Sequence, residues 1–294
     1  MSMRFGAGIL VLFLSVLTAH GQDSNSANSA PGTAPSPAKP ATYAQVRVDQ
    51  PYIAMTFDDG PSAENTPRLL EMLKQRNVKA TFFLIGQNAA SNPDIVRRIL
   101  ADGHEIGNHS WTHPQLSKLS DDRVTAEITQ TQDVIKDTSG FTPSLLRPPY
   151  GAITPRQREW VENRFGLNII LWSVDPLDWK RPGASVITQR ILSQVRPGAI
   201  ILSHDIHKQT VDAMPATLDG LIAKGYKFAT VSQLIAMNKP KPPVETIGDE
   251  RPHVTKSRKD VLAQGQTEAD APPTGKTESA SGSSATPSPA GGRP

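Results

Sequence analysis

The amino-acid sequence predicts an α/β domain, a distorted and incomplete (β/α) barrel of parallel strands. Three observations lead there. Short apolar runs alternate with helix-like segments seven times between residues 43 and 238. Most of those runs are continuously apolar rather than alternating, as strands covered by helices on both faces must be. The polar residues able to carry chemistry then gather where the runs end, which in a βα barrel is the C-terminal rim. A doubly wound open sheet is the alternative arrangement of the same elements.

Taken in order, strands are expected over residues 52–57, 80–85, 105–107, 145–147, 168–173, 199–203 and 227–230. Between the first two, Thr66-Pro67 reads as a cap and an N1 proline ahead of Leu69, Leu70, Met72 and Leu73. Asn92-Pro93 does the same ahead of Ile95, Val96, Ile99 and Leu100, and Asp102-Gly103 ends that helix. Ser120 caps a long segment with Val124, Ile128, Thr131 and Ile135 on one face, stopped near Gly140. Thr154-Pro155 and Ser185 open two more helices, and residues 210–224 form the last long one.

The flanks differ in composition. Residues 1–21 hold one Arg, a short apolar run and then small residues, the pattern of a secretory signal peptide. The run is too short to span a bilayer comfortably, so a stable membrane anchor is expected only if this segment stays uncleaved. Residues 22–42 are Ser, Asn, Ala and Pro, a linker composition, and 239–294 form a low-complexity tail without aromatic residues. Both flanks are expected to be disordered, leaving 43–238 as one globular domain. Export to a periplasmic, cell-wall or extracellular location follows as an expectation. The chain has no Cys, so such a domain relies on its core. A net charge of +3 gives no reason to expect nucleic acid as a partner.

At the strand ends, Asp58 and Asp59 precede Gly60. Two adjacent carboxylates in non-helical backbone point in different directions, so one can hold a metal ion while the other stays free as a base. His109 and His113 follow the third run; the i, i+4 spacing puts both imidazoles on one face if the segment turns helically. Just upstream, His104-Glu105 looks like the start of a zinc-protease HExxH motif. The fifth position is Asn108, however, and the residue after His109 is Ser110, so the protease reading fails in both frames. His104 and Glu105 are expected to be a buried or capping pair. Arg147 opens Arg-Pro-Pro-Tyr-Gly and can hold a neighbouring carboxylate ionised. Asp178-Trp179 could wall a sugar or acyl pocket, or the Trp could be core. Of His204 and His207, one is a candidate general acid or base.

Taken together, T-F-D-D-G (56–60), H-S-W-T-H (109–113), R-P-P-Y-G (147–151), D-P-L-D-W (175–179) and L-S-H (202–204) resemble the five motifs of carbohydrate esterase family 4. These are the polysaccharide deacetylases with a NodB homology domain, and the likeness covers residues 44–238. The resemblance implies Asp58 as catalytic base, Asp59, His109 and His113 as ligands of one divalent metal ion, and Arg147 as the group that orients and ionises the base. Zn²⁺ is the first expectation for that ion, with Co²⁺ and other divalent ions as alternatives. The resemblance further implies the Tyr150 backbone N–H in an oxyanion hole, Asp178 holding the catalytic His or the Arg, Trp179 and Leu202 around the acetyl methyl group, and His204 as general acid. Pro176 departs from the small polar residue common in relatives, and His207 has no assigned role. The implied activity is removal of acetate from N-acetylglucosamine in peptidoglycan, by a monomer acting on an acetylated glycan polymer. The Asp205-Ile206-His207 run is similar to that of peptidoglycan-type enzymes.

Chitin or its oligosaccharides come second as substrate and acetylated xylan third, since the core motifs do not separate them. From other classes, a mononuclear iron oxygenase also uses two His and a carboxylate, but the H-x-D spacing of its facial triad is absent. A non-catalytic glycan-binding wall protein would be expected to have lost site residues, and none is lost.

Overall fold

The computed structural model describes residues 41–239; the expected signal peptide, nearly all of the linker and the tail from 240 lie outside the described residues. The strands are β1 (Thr42–Tyr43), β2 (Tyr52–Asp58), β3 (Thr81–Leu84), β4 (Glu105–Asn108), β5 (Leu145–Leu146), β6 (Asn168–Ile170), β7 (Ile200–Ile201) and β8 (Lys227–Phe228). The helices are α1 (Asn65–Gln75), α2 (Gly86–Ser91), α3 (Pro93–Ala101), α4 (Asp121–Ser139), α5 (Pro155–Phe165), α6 (Ala184–Gln194), α7 (Lys208–Ala223) and α8 (Val231–Ala236).

Every ladder is parallel, in the order β1-β6-β5-β4-β3-β2-β7, with β8 also paired to β2. From β6 to β2 the order follows the sequence without reversal. There is no switch point of the kind that defines a doubly wound sheet, so the sheet curls into an incomplete barrel with helices outside. The seam between β6 and β7 has no full ladder. Val174, just past β6, makes a single parallel bridge to Ile201, and Gln45, just past β1, makes an antiparallel bridge to Ala199. This explains why strand pairing in the 168–173 run stops at Ile170. The Leu171 N–H donates to the Tyr43 carbonyl and the Ser173 N–H to that of Ile200, so the chain leaves the ladder to close the seam.

Alternation along β2 separates two apolar layers. Ile53, Met55 and Phe57 face outward into a cluster with Leu69, Leu70 and Leu73 of α1 and Val96 and Ile99 of α3. Ala54 faces inward with Phe83, Leu145, Ile170 and Ile200, a plug completed by Val231 and Leu234 of α8. Each such large side chain contributes roughly 1.5–3 kcal/mol when buried. The inner plug fills the barrel from the end where the strands begin, which leaves the other end for polar side chains.

Several boundaries differ from the sequence reading. α1 starts at Asn65 with Glu64 as its cap, because the Thr66 hydroxyl is engaged with the Ser62 N–H and the Asp205 carboxyl. α6 starts at Ala184 after Gly183, and α7 runs through Pro215 from Lys208. α2 and α8, at six residues each, are too short to show a helical period. The caps at Ser120 and Thr154 and the left-handed stop at Gly140 match expectation. His104 and Glu105 are structural, as expected. The Nδ1 of His104 accepts from the Ala80 N–H, and burial lowers its pKa to about 4. The Glu105 carboxylate accepts from Thr81 Oγ1 and from the Ser232 N–H at the start of α8.

Gly198 sits at the seam with φ +81°, accepting from the Val46 N–H and donating to the Tyr52 carbonyl. A Cβ there would lie 1.7 Å from the Val46 carbonyl oxygen, so the backbone must part. Gly198→Ala is expected to destabilise the protein by about 3–5 kcal/mol, read as a fall in the urea midpoint.

Candidate active site

Asp58 ends β2 and Asp59 follows it; both carboxylates approach His109 Nε2, Asp58 Oδ2 at 3.6 Å, but their other surroundings differ. Asp58 is buried, and its Oδ1 accepts from Arg147 Nη1 at 2.7 Å. Arg147 has no exposed surface. It rises from the end of β5 between the inner plug and the rim, with its guanidinium carbon 4.1 Å from the centre of the Phe83 ring. Nη1 also donates to Thr56 Oγ1 (2.6 Å), whose hydroxyl donates to the Ile201 carbonyl, and Nη2 donates to the Leu171 carbonyl. Burial pulls the guanidinium pKa below its ordinary value, and Asp58 offsets only part of that.

Asp59 takes φ +73°, a left-handed conformation that Asp tolerates better than most residues and that swings its side chain away from Asp58. Its Oδ1 is buried and accepts no hydrogen bond. It lies 3.4 Å from His109 Nε2 and 3.3 Å from His113 Nε2. The Nδ1 of His109 is 2.7 Å from the Arg147 carbonyl, which can only accept. Nδ1 of the neutral ring therefore carries the proton, and Nε2 turns a lone pair toward Asp59. A buried oxygen without a donor and a lone pair aimed at it, with a second imidazole at the same distance, fit a divalent cation. All three ligand atoms lie within 4.8 Å of one another. Without a metal ion, burial opposes the Asp59 charge, but His109, His204 and His113, acting as protonated imidazoles, outweigh it and hold the carboxyl at about 2.

The His pair is not helical, contrary to the conditional in the sequence reading. Ser110 (φ +65°) and His113 (φ +62°) are both left-handed, so the segment is a tight loop that brings the rings edge to face, 4.9 Å apart. Tyr150 (φ +61°) and Leu177 (φ +56°) share this conformation at the same rim. Strain of about 1–3 kcal/mol per such residue is what functional rims typically store.

Across the cleft, Asp178 is fully buried. Its Oδ1 accepts from His204 Nδ1 (2.9 Å) and the Trp179 N–H, and its Oδ2 from the His204 N–H (2.8 Å) and Thr210 Oγ1 (2.8 Å). Between the two alternatives left by the sequence, Asp178 thus holds His204 and not Arg147. Burial disfavours the charged imidazole, but the Asp178 bond and charge, with Asp58 and Asp59 behind, raise its pKa to about 9. His207 lies 6.0 Å away, ring to ring, and burial lowers its pKa.

One cleft of about 390 Å³ joins Asp58, Asp59, His109, His113 and His204 to Tyr150, Trp172, Asp175, Trp179 and Leu202. Tyr150 (62% exposed) and Trp179 (49%) are the aromatic walls, and Leu202 is buried beside them. Every candidate site residue reaches this cleft or bonds directly to a group in it. Thr210 and Trp172 lie outside the motifs and carry no signal in the sequence, and Thr56, although it opens T-F-D-D-G, has no role assigned to it there.

Arg147→Met strands the Asp58 carboxylate in the interior, and a loss of about 3–5 kcal/mol in unfolding free energy is expected from urea titration. The His204 shift makes a second prediction. A folded pKa of about 9 against 6.5 unfolded means the contribution is complete below pH 6.5 and is lost as pH rises through 9. In protein stripped of divalent ions, this amounts to about 3 kcal/mol between those limits, and the Asp178→Asn variant should lack that part of the pH dependence.

The family model described as polysaccharide deacetylase matches residues 45–170. The peptidoglycan-N-acetylglucosamine deacetylase PgdA of Listeria monocytogenes is 47% identical over 182 residues, covering 62% of this chain and 38% of that protein. The chain therefore spans well under half the length of the Listeria relatives. A peptidoglycan-N-acetylglucosamine deacetylase of Bacillus cereus is 42% identical over 191 residues, 64% of this chain and 69% of that one. Among solved structures, the Bc1960 peptidoglycan N-acetylglucosamine deacetylase, crystallised with a naphthyl N-oxidanyl-benzamide, superposes with a TM-score of 0.64 at 38% identity, covering 68% of this chain and 95% of that chain. With the barrel, the cleft and these likenesses in agreement, the chain belongs to the polysaccharide deacetylase family, the carbohydrate esterase family 4 proteins with a NodB homology domain.

Proposed function

We propose that this chain is an exported, metal-dependent hydrolase that removes the N-acetyl group from N-acetylglucosamine residues of peptidoglycan. One observation carries the chemistry: an aspartate held by Arg147 and an imidazole held by Asp178 face one cleft, with the electron-rich Asp59-His109-His113 triangle beside them. The likeness to peptidoglycan-N-acetylglucosamine deacetylases supports the substrate, and the composition of residues 1–21 supports export.

The ion held by Asp59, His109 and His113, zinc by first preference, would supply a Lewis acid for the acetamide carbonyl and lower the pKa of water toward about 7. Asp58 accepts the proton of the attacking water. Its Oδ1 is tied to Arg147, and the negative charge is stabilised by that pair in a site with little solvent. The Tyr150 N–H donates to the developing oxyanion. His204, kept protonated by Asp178, gives its proton to the nitrogen as the C–N bond breaks, so acetate and a free amino sugar leave. Trp179 and Leu202 pack the acetyl methyl group, and Tyr150 and Trp179 present rings on which a sugar face can stack.

Acetate release should be measured on peptidoglycan, chitooligosaccharides and acetylated xylan, before and after chelation and with zinc or cobalt added back. Release from peptidoglycan that chelation stops and metal restores is the expected result. Preference for either other polymer reassigns the substrate, and no metal-dependent release from any of the three overturns the function. Asp58→Asn and His204→Ala should each lower kcat/KM by about 10²–10⁴-fold.

A further inference from the structure

The loop that carries both imidazoles is anchored by an acid outside the motifs. Glu127 lies in the N-terminal half of α4, on its inner side and 5% exposed. Its Oε2 accepts from the Trp111 N–H and from the Thr112 N–H, each at 2.8 Å, and its Oε1 accepts from Thr112 Oγ1 at 2.7 Å. Trp111 and Thr112 are the residues between left-handed Ser110 and left-handed His113. A loop bent this way offers its own N–H groups no regular partner, so they need one from elsewhere. Among the described residues, no other side chain takes these two.

The other ties hold the two ends of the loop and its carbonyl side. The Ser110 N–H donates to Asn108 Oδ1, the His113 N–H to Ser110 Oγ, and the N–H groups of Gly86 and Gln87 to the Ser110 and Trp111 carbonyls. Packing adds an independent constraint. A Cβ on Gly86 would lie 2.3 Å from Trp111 Cε3 and 2.6 Å from Thr131 Oγ1, so α2, the loop and α4 meet with no spare space.

We infer that Glu127 is a positioning residue for the metal site, setting the His109–His113 spacing through the backbone of residues 111–112 without approaching the ion itself. The inference rests on the reading of Asp59, His109 and His113 as metal ligands. Removing the carboxylate leaves all three ligands in place but releases the turn between them. Because Thr112 is exposed, water can replace the lost acceptor and the fold can survive, but mobile water cannot hold the turn in one geometry.

The test is zinc affinity, by competition with a chromophoric chelator, together with the visible spectrum of the cobalt-loaded protein and the thermal midpoint of the metal-free protein. Glu127→Ala is expected to weaken zinc binding by about 10–100-fold, the range typical for groups that orient ligands, and to shift the cobalt bands. Glu127→Gln keeps an oxygen for both N–H groups and can point its amide at Thr112 Oγ1, so it should bind within about threefold of wild type. Wild-type protein that binds no zinc overturns the metal-site reading. Wild type that binds while Glu127→Ala binds equally well, with unchanged cobalt bands, overturns the role of Glu127 alone. If the Ala variant does not fold, Thr112→Val decides: a loss of about fivefold supports the anchor, and unchanged affinity rejects it.

Discussion

The ion pair between Arg147 and Asp58 is the interaction on which the site depends. Removing two charges from water costs several kcal/mol per ion, and the attraction between them repays this only with good geometry and further hydrogen bonds. Here those bonds exist, to Thr56, Leu171 and the carboxylate itself. The same residue governs more than the acid. Its carbonyl sets the His109 tautomer, and its guanidinium lies on Phe83 at the top of the apolar plug. The Arg147 side chain therefore separates the dry half of the barrel from the reactive half and holds Asp58, while its backbone carbonyl orients the neighbouring His109. Such a pair contributes little net stability over a well-packed apolar substitute, so its value is in specifying one arrangement.

Environment, more than residue type, decides what each acid does. Asp59 is held at about 2 by imidazoles, whereas Asp205, sealed beneath Gly60 with only Thr66 bonded to its carboxyl, is pushed up to about 7 by burial. Asp178 spends both oxygens on His204 and its surroundings. Asp59 and Asp205 are thus the same residue type pushed in opposite directions by their surroundings.

Much of this was legible in the sequence because barrels put strand ends at one rim, and local order survives that construction. The continuous apolar runs marked the strands, the Ser120 and Thr154 caps marked helices, and the motif residues fell at the run ends. What was not legible has physical causes. The shape of the His109–His113 loop depends on left-handed backbone at Ser110 and His113, which no helical or strand period encodes. The seam depends on Gln45 and Val174, whose partners are distant in sequence. Glu127 falls on the same face of α4 as Val124, Ile128 and Thr131, so the helical period places it inward, but the loop amides it meets are set by tertiary packing that no period encodes.

The strand order has a further consequence, for how the chain acquires its site in time. Asp58 and His204 are backbone neighbours across the edge of β2 where β7 docks, yet nearly the whole domain separates them in sequence. Contacts of this separation form slowly, because a long loop must close before they gain anything. During synthesis the Asp58 side of the cleft emerges first and has no opposite wall until residue 204 arrives and the seam closes. Any shortened product ending before β7 would hold the ligand triangle and Arg147 without His204. Completion of the cleft is thus tied to synthesis of the chain through β7, which brings the wall opposite Asp58.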